Sequence, residues 1–359
     1  MMYPFSIRIN PEWTIDTQEG KTLSLSMLLG LLAEIDVSGN IVAASETCGH
    51  SYRHAWGVLR QFEEVFGVPL LITKRRKGTE LSEFARRLVW ANRRIQARLS
   101  PTLESLASES QEELEKLIPE HTPNVRLHAS HGFAVEGLTQ RMNSPQPLLE
   151  LRYRTAIEAL AALEQNECEL AGFQVPIGKF EKPILDRYSP WLNSDTHLLI
   201  HLAVRNTGLF VKPGNPKQIQ SVRDLARDDV RFVNRQPGSS TRFLIGLMLQ
   251  EENIQTSAVS GFEDSEFTHM AIAAHIASGM ADVGIGVQTA AHRFGLDFIP
   301  LVRERYFFAL HRNNLQQINV EKFIHFMRSQ DYQQFLGQLV GYDATEAGKI
   351  QTLDEAFND

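Results

Sequence analysis

The sequence predicts a helical N-terminal module carrying a β-hairpin, a long connecting helix, and a C-terminal α/β domain of two lobes. Three observations predict this order. Residues 1–80 hold short apolar helical stripes and one basic turn. Residues 81–118 carry a polar helical pattern with a narrow apolar seam. From 124 to 359, apolar strand-like runs alternate with amphipathic helices, as in sheets built from βα units. The stretch "IPEHTPN" (118–124) carries two prolines and separates the last two zones.

In "LSLSMLLGLLAEIDVSG", Leu25, Leu28, Leu29, Leu32 and Ile35 share one helical face. Ser38 is the expected cap of a second helix, "GNIVAASETC", which Gly49 ends. Ser51 caps a third, "YRHAWGVLRQFEEVFG", where Ala55, Leu59, Phe62 and Phe66 form a stripe flanked by Val58. Gly67 stops it. Two short helices joined by "GHS" make a helix-turn-helix. Tyr52, Arg53 and His54 then point outward with Trp56 beside them, at positions that meet base edges in the major groove in this motif. Ser51 is expected on a phosphate.

"VPLLITKRRKGTELS" reads as strand, basic turn and return strand. That is a wing, and Lys74, Arg75, Arg76 and Lys77 on it suit phosphates. Such a run on its own is more often a solvated charge cluster; its place directly after a helix-turn-helix favours the wing. Residues 51–98 hold eleven Lys/Arg against four acids, in a chain of net charge -7. A basic patch confined to one module of an acidic protein is an electrostatic footprint for DNA.

In the connecting helix Leu81, Leu88 and Ile95 recur at seven-residue steps, with Ala85, Leu99 and Leu106 on an adjacent line. Arg86, Arg87, Arg93 and Arg94 lie outside this seam. A narrow apolar seam wants a partner helix, most simply that of a second subunit. Pro101 is expected to kink the helix or to begin another, "PTLESLASESQEELEKLI".

In the third zone, "VRLHAS" (125–130) and "LLELRYRT" (148–155) are strands followed by helices. Ser130 and Thr155 therefore sit at strand C-terminal ends, the edge where open α/β sheets bind ligands. "HLLIHLAVRNTGLFVKPGNP" is expected to form two strands turning at Asn206. "RFVNRQPGSSTRFLIG" (231–246) reads as strand, tight loop and helix start. Ser239, Ser240 and Thr241 there combine hydroxyls with free backbone N–H groups, an arrangement suited to an anion. Arg235 and Arg242 flank the loop and suit a bidentate grip on an oxyanion or carboxylate. The same hydroxyls would also serve as plain helix caps. Convergence of Ser130 and Thr155 on one cleft favours a ligand.

Other chemistries find less support. No apolar run approaches the roughly 18 residues of a membrane span. The opening residues lack the basic and apolar regions of a secretory signal, so a cytoplasmic location is expected. Cys48 and Cys168 read as small buried hydrophobes. His128, His131, His197, His201, His269 and His275 lack a metal-ligand spacing. His197 and His201, on one face of a strand, would stand roughly 13 Å apart. Ser239 is not in a nucleophile elbow. No catalytic residue, metal or cofactor is expected.

Residues 23–118 resemble the winged helix-turn-helix and linker helix of LysR-type regulators. They are most similar to the molybdate-responsive regulators in "LLAEIDVSGNIVAASETCGHSYRHAWGVLRQFEEVFGVPLL" and "KGTELSEFARRLV". The third zone resembles the type II periplasmic-binding-protein-like domain in "LEQNECELAGFQVP", "RFVNRQPGSSTR", "FTHMAIAAHIASGMADVGIGV" and "ERYFFAL". Two departures stand out: Trp56 replaces the smaller residue usual in LysR proteins, and the small effector domain of the molybdate regulators is absent.

The resemblance implies a winged helix-turn-helix (21–81), a linker and dimerisation helix (82–118) and a two-lobed ligand domain (124–359); residues 1–20 form an extra arm before the first helix, a further departure from the LysR pattern. It implies a DNA-binding transcriptional regulator controlled by a small anionic effector, not an enzyme. Molybdate or tungstate comes first by family context; sulfate, formate, other small carboxylates and a molybdenum-cofactor-related compound stay open. The expected partners are a double-stranded operator and a second copy, with a homotetramer as a further form. The alternatives are a ligand-independent DNA-binding protein, or an enzyme or solute-binding protein using the same α/β domain.

Overall fold

A computed structural model describes residues 7–17, 19–74, 78–115, 117, 125–142 and 149–357. The chain divides into two compact units, Asn10–Gln96 and a larger one formed mainly by Ala97–Asp359.

In the smaller unit β1 (Thr14–Asp16) and β2 (Thr22–Ser24) form an antiparallel hairpin. Three helices follow: α1 (Ser26–Ser38), α2 (Ile41–Thr47) and α3 (Tyr52–Phe66). Leu28, Leu32, Ile35, Ala44, Leu59 and Phe62 pack into one core. Ser38 does not cap α2. It ends α1, and its hydroxyl bonds back to the Glu34 carbonyl. The cap is Asn40, whose Oδ1 accepts from Val42 N–H at 2.8 Å. Asn and Ser cap about equally well, so position decided this. β3 (Leu71–Lys74) and β4 (Gly78–Leu81) pair antiparallel. Gly78 has φ +82°, and a Cβ there would lie 2.8 Å from the Gly39 carbonyl oxygen, so only glycine fits.

α4 spans Glu83–Glu115 without interruption, with Pro101 inside it. Pro101 therefore does not begin a new helix. A proline in a helix removes one N–H and frees the carbonyl four residues back, here that of Ala97. That carbonyl accepts the Thr268 hydroxyl instead, at 3.0 Å.

The larger unit continues with β5 (Val125–Ala129), α5 (Phe133–Met142), β6 (Leu149–Tyr153), α6 (Ala156–Glu164), β7 (Leu170–Pro176) and α7 (Glu181–Tyr188). Then come β8 (His197–Val211), β9 (Phe232–Arg235), α8 (Ser240–Glu251), β10 (Ser265–Glu266), α9 (His269–Ala277), β11 (Val283–Val287), α10 (Gln288–Arg293) and β12 (Asp297–His311). α11 (Ile318–Met327), α12 (Gln330–Gln338), β13 (Tyr342–Asp343), β14 (Ile350–Gln351) and α13 (Leu353–Phe357) close it.

Among the described residues one sheet has the order β10-β9-β11-β8-β12-β7-β5-β6, with β13 and β14 also pairing β8. In one lobe β5 lies parallel to β6 and β7; in the other β9 lies parallel to β10 and β11. The antiparallel pair β8 and β12, each 15 residues long, joins the lobes. The expected turn at Asn206 is therefore not formed. Asn206 is held in line by its N–H on the Gly341 carbonyl and its Nδ2 on Gln288 Oε1, both at 2.9 Å. Gly208 permits the close β8–β12 approach, since a Cβ there would lie 2.1 Å from the Ile299 carbonyl oxygen. No helix among the described residues is long and apolar enough to cross a membrane.

Candidate functional site

A cavity of about 320 Å³ opens where the parallel strands of both lobes end. The β5–β7 lobe lines it with Ser130, His131, Arg152, Tyr153, Arg154, Thr155 and Gln174. The β9–β11 lobe supplies Arg235, Gln236, Ser239, Ser240, Thr241, Phe267 and His269. Pro101, Thr102, Ser105, Leu106 and Glu109 of α4 line it as well.

The α8 N-terminus forms one wall. Ser239 caps the helix, its Oγ accepting from Arg242 N–H at 3.1 Å, which leaves its own hydroxyl proton free to donate. Ser240 and Thr241 are buried. Ser240 Oγ lies 2.6 Å from the Tyr188 hydroxyl. First-turn N–H groups and the helix dipole favour an anion here.

Arg235 is 4% exposed. Its Nη1 bonds His269 Nε2 at 2.9 Å and its Nη2 donates to the Phe267 carbonyl at 2.7 Å, while its Nε is buried without a partner. Among the described residues no carboxylate stands within ion-pair distance of it. Burial, with help from Arg205, pulls the guanidinium down to about 9, which keeps it charged at neutral pH. Accepting from Arg235 requires a neutral His269, and burial and then Arg235 hold its pKa well below the usual range. His131 is brought down to about 4 by burial, then by Arg235 and Arg293.

Two expected ligand residues are otherwise engaged. Arg242 does not line the cavity. It pairs with Glu263 at 2.5 Å and lies over the Phe262 ring at 4.9 Å, within its own lobe. Thr155 lines the cavity but caps α6 in a reciprocal box, giving its hydroxyl proton to Glu158 Oε2 at 2.8 Å. A Cβ built on Gly238 would lie 3.6 Å from the Thr155 Cγ2. His131, His269, Gln174, Arg152 and Arg154 escaped sequence reading. Arg152 and Arg154 alternate with Tyr153 at the end of a strand, and only the strand-end rule applied to Ser130 and Thr155 would have found them.

The structure also gathers Glu164, His197 and His311, each offering a ligand-type atom within 4.8 Å of the others. Cross-strand pairing of His197 with His311 makes this neighbourhood, which sequence spacing hides. His197 Nδ1 accepts from Asn193 N–H at 3.1 Å, which puts the ring proton on Nε2. A metal-bound imidazole ordinarily donates through its other nitrogen. The trio reads as the buried His197 imidazole, whose pKa burial lowers, packed against His311 and an exposed carboxylate.

In the smaller unit Ser51 caps α3, its Oγ accepting from His54 N–H at 3.3 Å. Tyr52, Arg53, His54 and Trp56 are all exposed, while Ala55 and Leu59 face the core. Tyr52 stacks on Trp56 with centroids 6.3 Å apart, and Arg60 covers the same indole at 5.5 Å. Lys74 closes β3 in its backbone; its side chain and Arg75, Arg76 and Lys77 lie outside the described residues.

Two lobes of α/β structure joined by long crossing strands, with a polar cleft at the strand ends, define a ligand-binding domain of the periplasmic-binding class. Residues 139–328 match the model of the PBP superfamily domain, and the chain belongs to that family. It is 32% identical over 248 residues to the uncharacterized protein YvgK of Bacillus subtilis (strain 168), covering 68% of this chain and 79% of that protein. A hydrogen-peroxide-bound mutant of OxyR from Corynebacterium glutamicum aligns with 88% of this chain and 93% of its own, at 12% identity and TM-score 0.44. The regulatory domain of MetR, a LysR family regulator from N. meningitidis, aligns with 61% of this chain and 97% of its own, at 13% identity and TM-score 0.45.

Proposed function

We propose that this chain is a DNA-binding transcriptional regulator whose operator affinity answers a small anion held between the two lobes. One observation carries the effector half. A buried Arg235 has only neutral partners and borders a cavity lined by hydroxyls and a helix N-terminus. A buried charge without a counter-charge is costly, and an anion in the cleft removes that cost. Ser130, Arg235, Ser239, Ser240 and Thr241 are the proposed ligand contacts. Molybdate or tungstate leads, with sulfate and formate behind.

The DNA half rests on α2 and α3 with the β3–β4 hairpin, read as a winged helix-turn-helix, and on the resemblance quoted above. Arg53 and His54 read bases, Ser51 holds a phosphate, and the Tyr52–Trp56 stack fixes the outer face of α3. Lys74 to Lys77 follow the backbone. α4 carries the dimer contact.

The test has two arms. A thermal-shift screen with molybdate, tungstate, sulfate and formate measures stabilisation by mass action. Duplexes selected from a random pool by the full chain then measure sequence preference. A chain that enriches no duplex over random DNA is not such a regulator.

A further inference from the structure

We propose that the connecting helix α4 is the third wall of the ligand cleft, so that the effector touches the helix itself rather than acting on it only through the lobes. This rests on the cleft being an anion site. α4 is fastened to both lobes within the larger unit. On the β9–β11 side the Ala97 carbonyl, freed by Pro101, accepts from Thr268 Oγ1 at 3.0 Å, and Arg98 Nε stands 3.0 Å from Glu266 Oε2. Glu266 is 2% exposed, so its end of the pair is buried in that lobe, while the Arg98 side chain is half-exposed. On the other side Tyr153 N–H donates to Ser105 Oγ at 3.0 Å, and the Tyr153 hydroxyl donates to Glu104 at 3.0 Å.

From Thr102, between these fastenings, through Ser105 to Glu109, one turn beyond them, the helix lines the cavity. Tyr153 lies between Arg152 and Arg154, and Thr268 between Phe267 and His269, and all four of these flanking residues line the cavity. A movement of either lobe around an anion therefore pulls on a different turn of α4. Glu109 adds a negative charge, beside that of Glu158, to a cleft lined also by Arg152, Arg154 and Arg235. It disfavours anions, and it selects ligands that bring a donor or a cation to that wall.

Calorimetric titration of the full chain with molybdate, tungstate, sulfate and formate tests this, using Glu109→Gln and, further along α4 and off the cavity, Glu113→Gln. The proposal expects the Glu109→Gln protein to bind the tightest of these anions about threefold or more tightly than wild type, an effect that shrinks with salt, while Glu113→Gln is unchanged. It also expects slower hydrogen exchange at the amides of 102–109 when that anion is added. If both variants bind as wild type and exchange there is unaltered, while Ser240→Ala binds more weakly, the helix is not part of the site and the cleft reading stands. If wild type binds none of the four anions, both readings fall.

Discussion

Thr268 makes two hydrogen bonds with one hydroxyl: its oxygen accepts from Ala271 N–H at 2.9 Å, capping α9, and its proton goes to the Ala97 carbonyl at 3.0 Å. Pro101 creates that acceptor, because a residue with an N–H at this position would have taken it within α4. A helix-interior proline, costly by itself, is thus turned into a tertiary tie.

Removing the hydroxyl should be expensive. Thr268→Val loses a helix cap worth about 0.5–2 kcal/mol and a hydrogen bond to the partly buried Ala97 carbonyl, about 0.5–1.5 kcal/mol more. Denaturant unfolding of the variant measures the sum. Pro101→Ala returns an N–H to Ala97, so in that background the Thr268→Val penalty should shrink. Equal penalties in both backgrounds would show that Thr268 acts as a cap only.

The cleft residues should separate into two groups. Ser240→Ala and Thr241→Ala should weaken anion binding with little change in anion-free DNA affinity. Arg235→Ala should abolish anion binding, and Arg235→Lys should restore little, since one ammonium cannot serve His269 and Phe267 together. Arg242→Ala should leave anion affinity near wild type and lower stability by roughly 1 kcal/mol, the scale of its partly exposed pairing and ring contact. Calorimetry alongside urea unfolding distinguishes the groups.

The histidines set an acid limit. Burial holds His128, His131 and His201 at about 4, below their ordinary 6.5. A depressed folded pKa means that the unfolded chain takes up protons first. Stability is therefore intact above about pH 6.5 and falls as pH drops toward 4, by up to about 1.4 kcal/mol per pH unit for each such histidine. His201→Gln should flatten this slope in urea midpoints between pH 7 and 4.5. An unchanged slope would exclude His201 as a contributor.

Arg53→Ala should cost about 1–3 kcal/mol on a selected duplex and flatten its base preference. Neutralising Lys74 and Lys77 together should weaken selected and random duplexes alike and lower the salt slope by about 2. Competition anisotropy at several salt concentrations checks both. Equal losses on both duplexes for Arg53→Ala would remove it from base reading.

Self-association should run through α4. Leu88 packs in the core of its own unit, so it is a poor probe of an interface. Leu99 and Leu114 are 39% and 48% exposed. Leu99→Glu with Leu114→Glu should halve the mass seen by analytical ultracentrifugation. Retention of the wild-type mass would place the dimer contact elsewhere.

Much of this was legible in local sequence. The stripe of Ala55, Leu59 and Phe62, the caps Ser51 and Ser239, and the strand ends at Ser130 and Thr155 each follow from periodicity or capping chemistry over a few residues. What was not legible depends on distant partners. Pro101 reads as a kink or the start of another helix until Thr268 is placed against Ala97, and Asn206 reads as a turn until Gly341 and Gln288 hold it in line. Arg242 reads as a ligand grip until Glu263, 21 residues on, is seen beside it. His131 and His269 join the cleft only because two lobes meet there.

Coupling between the cleft and DNA is the centre of the account, and one titration tests it directly. The anisotropy of a selected duplex is followed against this chain, with and without a saturating amount of the tightest anion from the screen. Wild type should shift in DNA affinity by about fivefold or more, the lower bound of ordinary allosteric coupling, and Arg235→Ala should not shift. Identical DNA affinity with and without an anion that calorimetry shows to be bound would contradict the account.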